Sequence, residues 1–252
     1  MVAQNRNLDD FSGCIKERFR PSKQPSAGPS PSVLFYTSFM LSPKEVEIKF
    51  LIHDLKLLEQ RLSKNGFHCV TAPTYEHNTL YDLPGHLLRR KGQLLRLRQY
   101  GDTWLLTHKA RANVGRHKSR IELETQVADG LQMDSILRAL GYQPVFVYEK
   151  FRSEWTDDKG HVVLDRTPIG NFAEIEGASA WIDQTATALG VTTGEYITNS
   201  YAELFFDWKR KYKQKAVNMT FRECDGSAKA VLNTRKSSAE AAPGSGVRPR
   251  RA

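Results

Sequence analysis

The chain has 252 residues, of which 40% are hydrophobic, and carries a formal net charge of +9. That size holds one substantial domain or two small ones with a real core. Its three cysteines, Cys14, Cys69 and Cys224, form no Cys-x-x-Cys pair, which argues against a disulfide framework or structural zinc and for a reducing, cytoplasmic compartment; no apolar run is long enough to span a membrane.

Residues 1–40 are rich in Ser, Pro, Asn and Arg, carry a net +2 and show no sustained period, so a disordered extension is expected there. From residue 41 short alternating segments begin. Glu45–Phe50 predicts a strand, followed by a helix near 53–64 with Leu55, Leu58 and Leu62 on one stripe. Leu94–Tyr100, a Gly101-Asp102 turn and Trp104–Lys109 read as a hairpin. Arg120–Thr125 predicts a strand leading into a helix near 131–140. Phe146–Trp155, a turn at Asp157–Gly160 and His161–Asp165 read as a second hairpin. Phe172–Glu176 leads into a helix near 179–189, and a last helix near 198–212 carries Tyr201, Leu204, Phe205 and Trp208. Three helices stop alike, at Asn65-Gly66-Phe67, Leu140-Gly141-Tyr142 and Leu189-Gly190-Val191. A strand–helix–glycine unit thus repeats, and each repeated strand holds a Glu-x-Glu pair. The folded part is expected over 41–212 and a disordered basic tail over 213–252. Residues 41–209 carry a net −1, and residues 210–252 carry +8.

Side chains alternate across a strand, so each segment divides into two faces. Glu45, Glu47 and Lys49 share one face, opposite Val46, Ile48 and Phe50. Arg96 and Arg98 share one, as do Thr107 and Lys109, and Lys150 and Arg152. Arg120, Glu122 and Glu124 lie opposite Ile121 and Leu123; Asp165 lies opposite Leu164; Glu174 and Glu176 lie opposite Ala173 and Ile175. Any one such strand is ordinarily half-wet sheet. Seven together, almost without Ser, Asn or Gln on the charged faces and followed by apolar helix stripes, predict a barrel with helices outside and charges inside. Buried charges of both signs need partners, and a polyanion with a hard divalent cation would satisfy them.

These motifs resemble a known family. Glu45-Val-Glu-Ile-Lys49 is similar to the opening Glu-x-Glu-x-Lys signature of the CYTH superfamily, the triphosphate tunnel metalloenzymes. Tyr81-Asp82, Arg96-Leu-Arg98, Thr107-His-Lys109, Arg120-Ile-Glu-Leu-Glu124, Glu149-Lys-Phe-Arg152, Asp165 and Gly170–Glu176 follow in the family's order. The resemblance covers 41–212 and implies an α+β fold, a closed eight-stranded antiparallel barrel with helices packed on its outside. It implies that Glu45, Glu47, Glu174 and Glu176 bind Mg²⁺ or Mn²⁺, with Asp165, Glu122 and Glu124 completing or orienting that shell. Lys49, Arg96, Arg98, Lys109, Arg120 and Arg152 would hold phosphates, with Glu45, Glu47 and Lys49 as the catalytic set. Lys209 or Lys211 would reach the tunnel, as a late lysine does in some members.

The family includes thiamine triphosphatases, tripolyphosphatases, RNA triphosphatases and class IV adenylyl cyclases. The implied partner is therefore a small triphosphate (tripolyphosphate, ATP or thiamine triphosphate), and homodimers occur among members. Hydrolysis is expected first, because Glu122 and Glu124 form a carboxylate pair that hydrolases of the family commonly show. Cyclisation of ATP is the alternative, and a non-catalytic polyphosphate-binding module the second. The basic tail lacks interleaved aromatics, so specific nucleic-acid binding is not expected, nor is membrane binding.

Overall fold

The computed structural model describes residues 44–224. The extension expected over 1–40, and most of the tail expected over 213–252, lie outside the described residues. The alternating segments form β1 (Lys44–Leu51), β2 (His68–Asp82), β3 (Leu94–Tyr100), β4 (Thr103–Lys109), β5 (Asn113–Val114), β6 (Lys118–Val127), β7 (Gln143–Thr156), β8 (His161–Thr167) and β9 (Gly170–Glu176). Helices α1 (Leu55–Lys64), α2 (Leu87–Arg90), α3 (Gly130–Ala139), α4 (Ser179–Ala188) and α5 (Tyr201–Lys211) lie between or after them.

The strands run β1-β9-β8-β7-β2-β3-β4-β6, all paired antiparallel, and β6 returns to β1. The sheet is thereby a closed eight-stranded barrel, with the two-residue β5 beside β6. Closure removes the unpaired edges that an open sheet would expose. The α+β barrel expected from the sequence is the observed fold.

The apolar faces point outward under the helices. Ile48, Phe50, Val162, Leu164 and Ile175 pack with Leu58 and Leu62 of α1 and Ile182 of α4. Tyr81 and Leu97 pack with Leu137 of α3. Gly130 opens α3 directly against Trp104, where an added Cβ would lie 2.0 Å from the indole. The three expected glycine stops hold: Gly66, Gly141 and Gly190 have φ of 85°, 91° and 79°, which favours glycine. Asp54 caps α1 by accepting from the Leu57 amide, and Asp129 caps α3 by accepting from the Gln132 amide, both at 3.0 Å.

Two features were not foreseen. The longest strand, β2, contains Pro73, which sits where the pairing with β7 slips between Thr71 and Thr74. A proline is tolerated at such an irregularity because no ladder donor is needed there. The second is the chain after α5, which continues in ordered form to Cys224 instead of ending at 212. β8 pairs with β7 only from Phe151 to Thr156, so the edge before Phe151 is open. Met219 fills it: its amide donates to the Val147 carbonyl and its carbonyl accepts from the Glu149 amide, both at 3.0 Å. Met219 and Cys224 are fully buried, an anchor hidden in the sequence by the charged residues around it.

Replacing Met219 by Ala removes that anchor. The expected loss is about 2–5 kcal/mol of unfolding free energy, read as a lowered urea midpoint at unchanged slope.

Candidate active site inside the barrel

The inward positions form a lattice of buried ion pairs. On the seam that closes the barrel, Glu45 faces Arg120 and Glu47 faces Lys118 as cross-strand partners. Arg120 Nε lies 3.0 Å from Glu45 Oε2, and Lys118 Nζ lies 2.8 Å from Glu47 Oε1. Lys109 of β4 bridges Glu45 at 2.8 Å and Glu122 at 2.7 Å. Glu124 accepts from Arg98 at 2.7 Å and from the Thr107 hydroxyl at 2.5 Å, with Arg96 at 3.4 Å. On the opposite wall Arg152 makes a two-pronged contact to Asp165, at 2.8 and 2.7 Å, and reaches Glu174 at 2.5 Å. Lys150 donates to Asp165 at 2.9 Å, and Lys49 pairs with Glu174.

One end of the barrel is closed by α5. Inward residues Phe146, Tyr148 and Phe172 meet Tyr201 and Phe205 there. The Tyr201 hydroxyl donates to Asp165 at 2.6 Å, and its ring lies under the amines of Lys49 and Lys150, at 4.7 and 4.9 Å. Solvent reaches the interior from the β6 side, where Glu122 and Glu124 keep 20% and 25% of their side chains exposed while Asp165 keeps none.

The lattice sets the charge states. Burial opposes ionisation of Glu45, but Lys109 and Arg120 outweigh it and hold the carboxyl below its usual range. Glu124 is held at about 2, because Arg98 and Arg96 outweigh burial. Burial opposes the charge of Lys49 too, and Glu174 and Glu47 overcome it, raising the amine above its usual value. Glu176 is the exception. Burial, then Glu174, Glu45 and Glu47, push it up to about 8, and among the described residues no lysine or arginine stands at ion-pair distance from it.

Glu45, Glu47 and Glu176 each offer one oxygen within 4.8 Å of the others. These residues fit a hard divalent cation: the donors are carboxylate oxygens, and one is kept protonated for want of positive charge. The seven carboxylates expected from the sequence therefore divide. Glu174 and Asp165 lie outside the trio, on the wall of Lys49, Lys150 and Arg152, and Glu122 and Glu124 belong to the cation wall of β3 and β4. The six expected cations, Lys49, Arg96, Arg98, Lys109, Arg120 and Arg152, all join the lattice. Lys209 lines a surface groove with Arg89 and Phe206, and Lys211 lies over Tyr212, so neither joins the barrel's ion pairs.

The sequence reading missed Glu76, Asn78, Lys118 and Tyr201, and left Lys150 outside the expected set. Lys118 was legible as the inward neighbour of Arg120 at a spacing of two. Glu76 and Asn78 precede Tyr81-Asp82 on the unrecognised strand.

The family model of the CYTH domain matches residues 43–201. A protein of Methanocaldococcus jannaschii, named as a candidate adenylate cyclase, is 25% identical over 171 residues, which are 64% of this chain and 97% of that protein. A solved structure from Vibrio parahaemolyticus, also described as a candidate adenylate cyclase, shares the fold with a TM-score of 0.57 at 20% identity; it covers 64% of this chain and 97% of that one. A Pyrococcus horikoshii structure does so with a TM-score of 0.56 at 22% identity, over 64% of this chain and 98% of that one. No described helix is long and apolar enough to cross a membrane.

Glu176 keeps its proton in the fold up to about pH 8 but loses it in the usual carboxylate range when unfolded. Between those limits the native state binds more protons, so this group makes stability fall as pH rises. In EDTA, E176Q is expected to gain stability over the wild type as pH goes from about 5 to 8, measured by urea unfolding at each pH; parallel curves would contradict the assignment.

Proposed function

Since the chain belongs to the CYTH family, whose members act on triphosphates, we propose that it is a metal-dependent enzyme that hydrolyses the triphosphate end of a small molecule. The observation that supports this most is the pairing of two features in one enclosed space. The carboxylate trio Glu45, Glu47 and Glu176 shares the barrel with an arginine and lysine lattice spanning β1, β3, β4, β6 and β7. Anion binding alone would need the cations and not the trio.

Arg96, Arg98, Lys109, Arg120 and Arg152 would exchange carboxylate oxygens for phosphate oxygens, Arg with two parallel donors and Lys as a point charge. A divalent Mg²⁺ or Mn²⁺, when bound to Glu45, Glu47 and Glu176, supplies charge neutralisation and a more acidic bound water. Lys49 lies beyond that trio on the same face of β1 and would hold a phosphate oxygen where negative charge accumulates. Glu122, on the solvent side, would take the proton of an attacking water. Phosphoryl transfer asks little covalent work of a protein, and positioning with charge neutralisation supplies most of the rate.

The second reading is cyclisation of ATP, favoured by the names of the relatives. It uses the same phosphate and metal residues but requires a ribose hydroxyl as nucleophile.

Purified protein given tripolyphosphate, ATP or thiamine triphosphate with Mg²⁺, Mn²⁺ or EDTA separates the readings. Orthophosphate formed only with metal supports hydrolysis; pyrophosphate plus a cyclic nucleotide from ATP replaces it with cyclisation. A Glu45→Gln, Glu47→Gln double variant should lose metal-dependent turnover, on the order of 10³-fold or more, and normal activity in it would remove the metal assignment. Arg98→Ala should chiefly weaken triphosphate binding, by about 1.5–3 kcal/mol for a lost charge-assisted hydrogen bond, read as a raised KM.

A further inference from the structure

Seven buried side-chain polar atoms among the described residues have no hydrogen-bond partner, and six belong to inward residues of two adjacent strands. They are both oxygens of Glu76, both amide atoms of Asn78, and the Nε atoms of Arg96 and Arg98. Buried polar atoms are nearly always paired, so such a concentration calls for an explanation.

Strand order supplies it. β2 lies between β3 and β7. β3 brings Arg96 and Arg98, and β7 brings Lys150 and Arg152, so Glu76 stands between two pairs of cations. Its oxygens lie 3.8 Å from Arg98 Nη1, 3.7 Å from Lys150 Nζ and 3.6 Å from Arg152 Nε. Those distances are too long for directed hydrogen bonds. The cations spend their short bonds elsewhere, Arg98 on Glu124, Lys150 on Asp165, and Arg152 on Asp165 and Glu174. Glu76 has no exposed surface, and its closest charged neighbours are the cations themselves. The four cations outweigh its burial and hold its carboxyl at about 2, fully ionised at neutral pH.

We propose that Glu76 is a positioning residue that acts on anion binding through its field: a built-in counter-anion that neutralises the β3 and β7 cations without occupying their donors. Resting on the reading that the barrel holds a triphosphate, this role makes a definite claim about sign. The fixed negative charge keeps the empty cation wall together and repels the incoming anion, which lowers affinity and lets product leave. A residue that only held the wall together would act oppositely, because its loss would scatter the cations and weaken binding. A unit charge about 6–12 Å from the bound phosphates, at an effective dielectric of about 20, is worth roughly ten- to hundredfold in affinity.

The test is isothermal titration of the full chain with tripolyphosphate in EDTA, where no metal-dependent turnover interferes. E76Q keeps the shape and removes the charge, and its Kd should fall at least about tenfold. E76D keeps the charge, and its Kd should stay near the wild-type value. A natively folded E76Q with an unchanged or raised Kd overturns the role. Should E76Q fail to fold, the K150M background carries the same question with one cation fewer. K150M alone should bind more weakly, and adding E76Q to it should recover about tenfold; equal Kd values for K150M and the double variant overturn the role as well. Wild-type protein that neither binds tripolyphosphate in EDTA nor binds or turns it over with Mg²⁺ would remove the triphosphate reading and this role together, whereas a failure confined to the Glu76 variants removes this role alone.

Discussion

Charges enclosed in a barrel must be paired within it, and that constraint organises the rest of the molecule. Away from the β6 side water cannot rescue an isolated ion there, and removing one partner of a buried pair typically costs about 3–5 kcal/mol. The inward cations are Lys49, Arg96, Arg98, Lys109, Lys118, Arg120, Lys150 and Arg152, and every one stands within ion-pair distance of a carboxylate. Even the closure of the sheet obeys the rule. Where β1 meets β6, the backbone register puts Glu45 opposite Arg120 and Glu47 opposite Lys118, so the seam is an ionic one. The pairs are cross-strand, which ties register to charge: a slip of one residue would turn every charged side chain out against the helices.

The same constraint makes the barrel one-ended. At the end covered by α5 the inward positions become aromatic, and Tyr201 carries the change from apolar to ionic. Its ring packs among Tyr148 and Phe172 while its hydroxyl satisfies Asp165. At the β6 side the carboxylates keep some contact with water. An anion entering from that side would pass Glu122 and Glu124 before it neared Asp165. On the proposed activity, the organic part of a substrate would lie on the solvent side, where contacts to it would come from the barrel's rim and loops.

Much of this was legible because period-two alternation and glycine helix stops are local signals. Glu45-Val-Glu-Ile-Lys49 states both faces of β1 in five residues, and Gly66, Gly141 and Gly190 announce three helix ends. What escaped notice depends on partners distant in sequence. β2 has polar residues on both faces, His77 and Thr79 outward and Glu76 and Asn78 inward, with a proline besides, so no alternation marks it; it is a strand because β3 and β7 pair with it on either side. Met219 counts as core only because β8 is too short to cover β7. The carboxylates illustrate the same limit. Seven of them, all but Glu76, were visible as inward acids, but which three converge depends on β9 lying beside β1, a neighbour relation that composition and spacing do not encode.

Pairing also links the two classes of ligand that the proposed activity needs. In the lattice as it stands, Lys109 and Arg120 are spent on Glu45, and Lys118 on Glu47. A divalent cation on that trio would compete with those side chains for the same oxygens and would displace the proton that Glu176 otherwise retains. The released ammonium and guanidinium groups then lack partners in a medium that penalises unpaired charge. A triphosphate supplies them, and by linkage the benefit is mutual: whatever affinity the metal adds for phosphate, phosphate adds for the metal. Neither ligand satisfies the lattice as well alone, since metal by itself leaves cations stranded and phosphate by itself leaves the acidic trio crowded. On the proposed activity, the barrel would therefore favour a metal–triphosphate pair over either component.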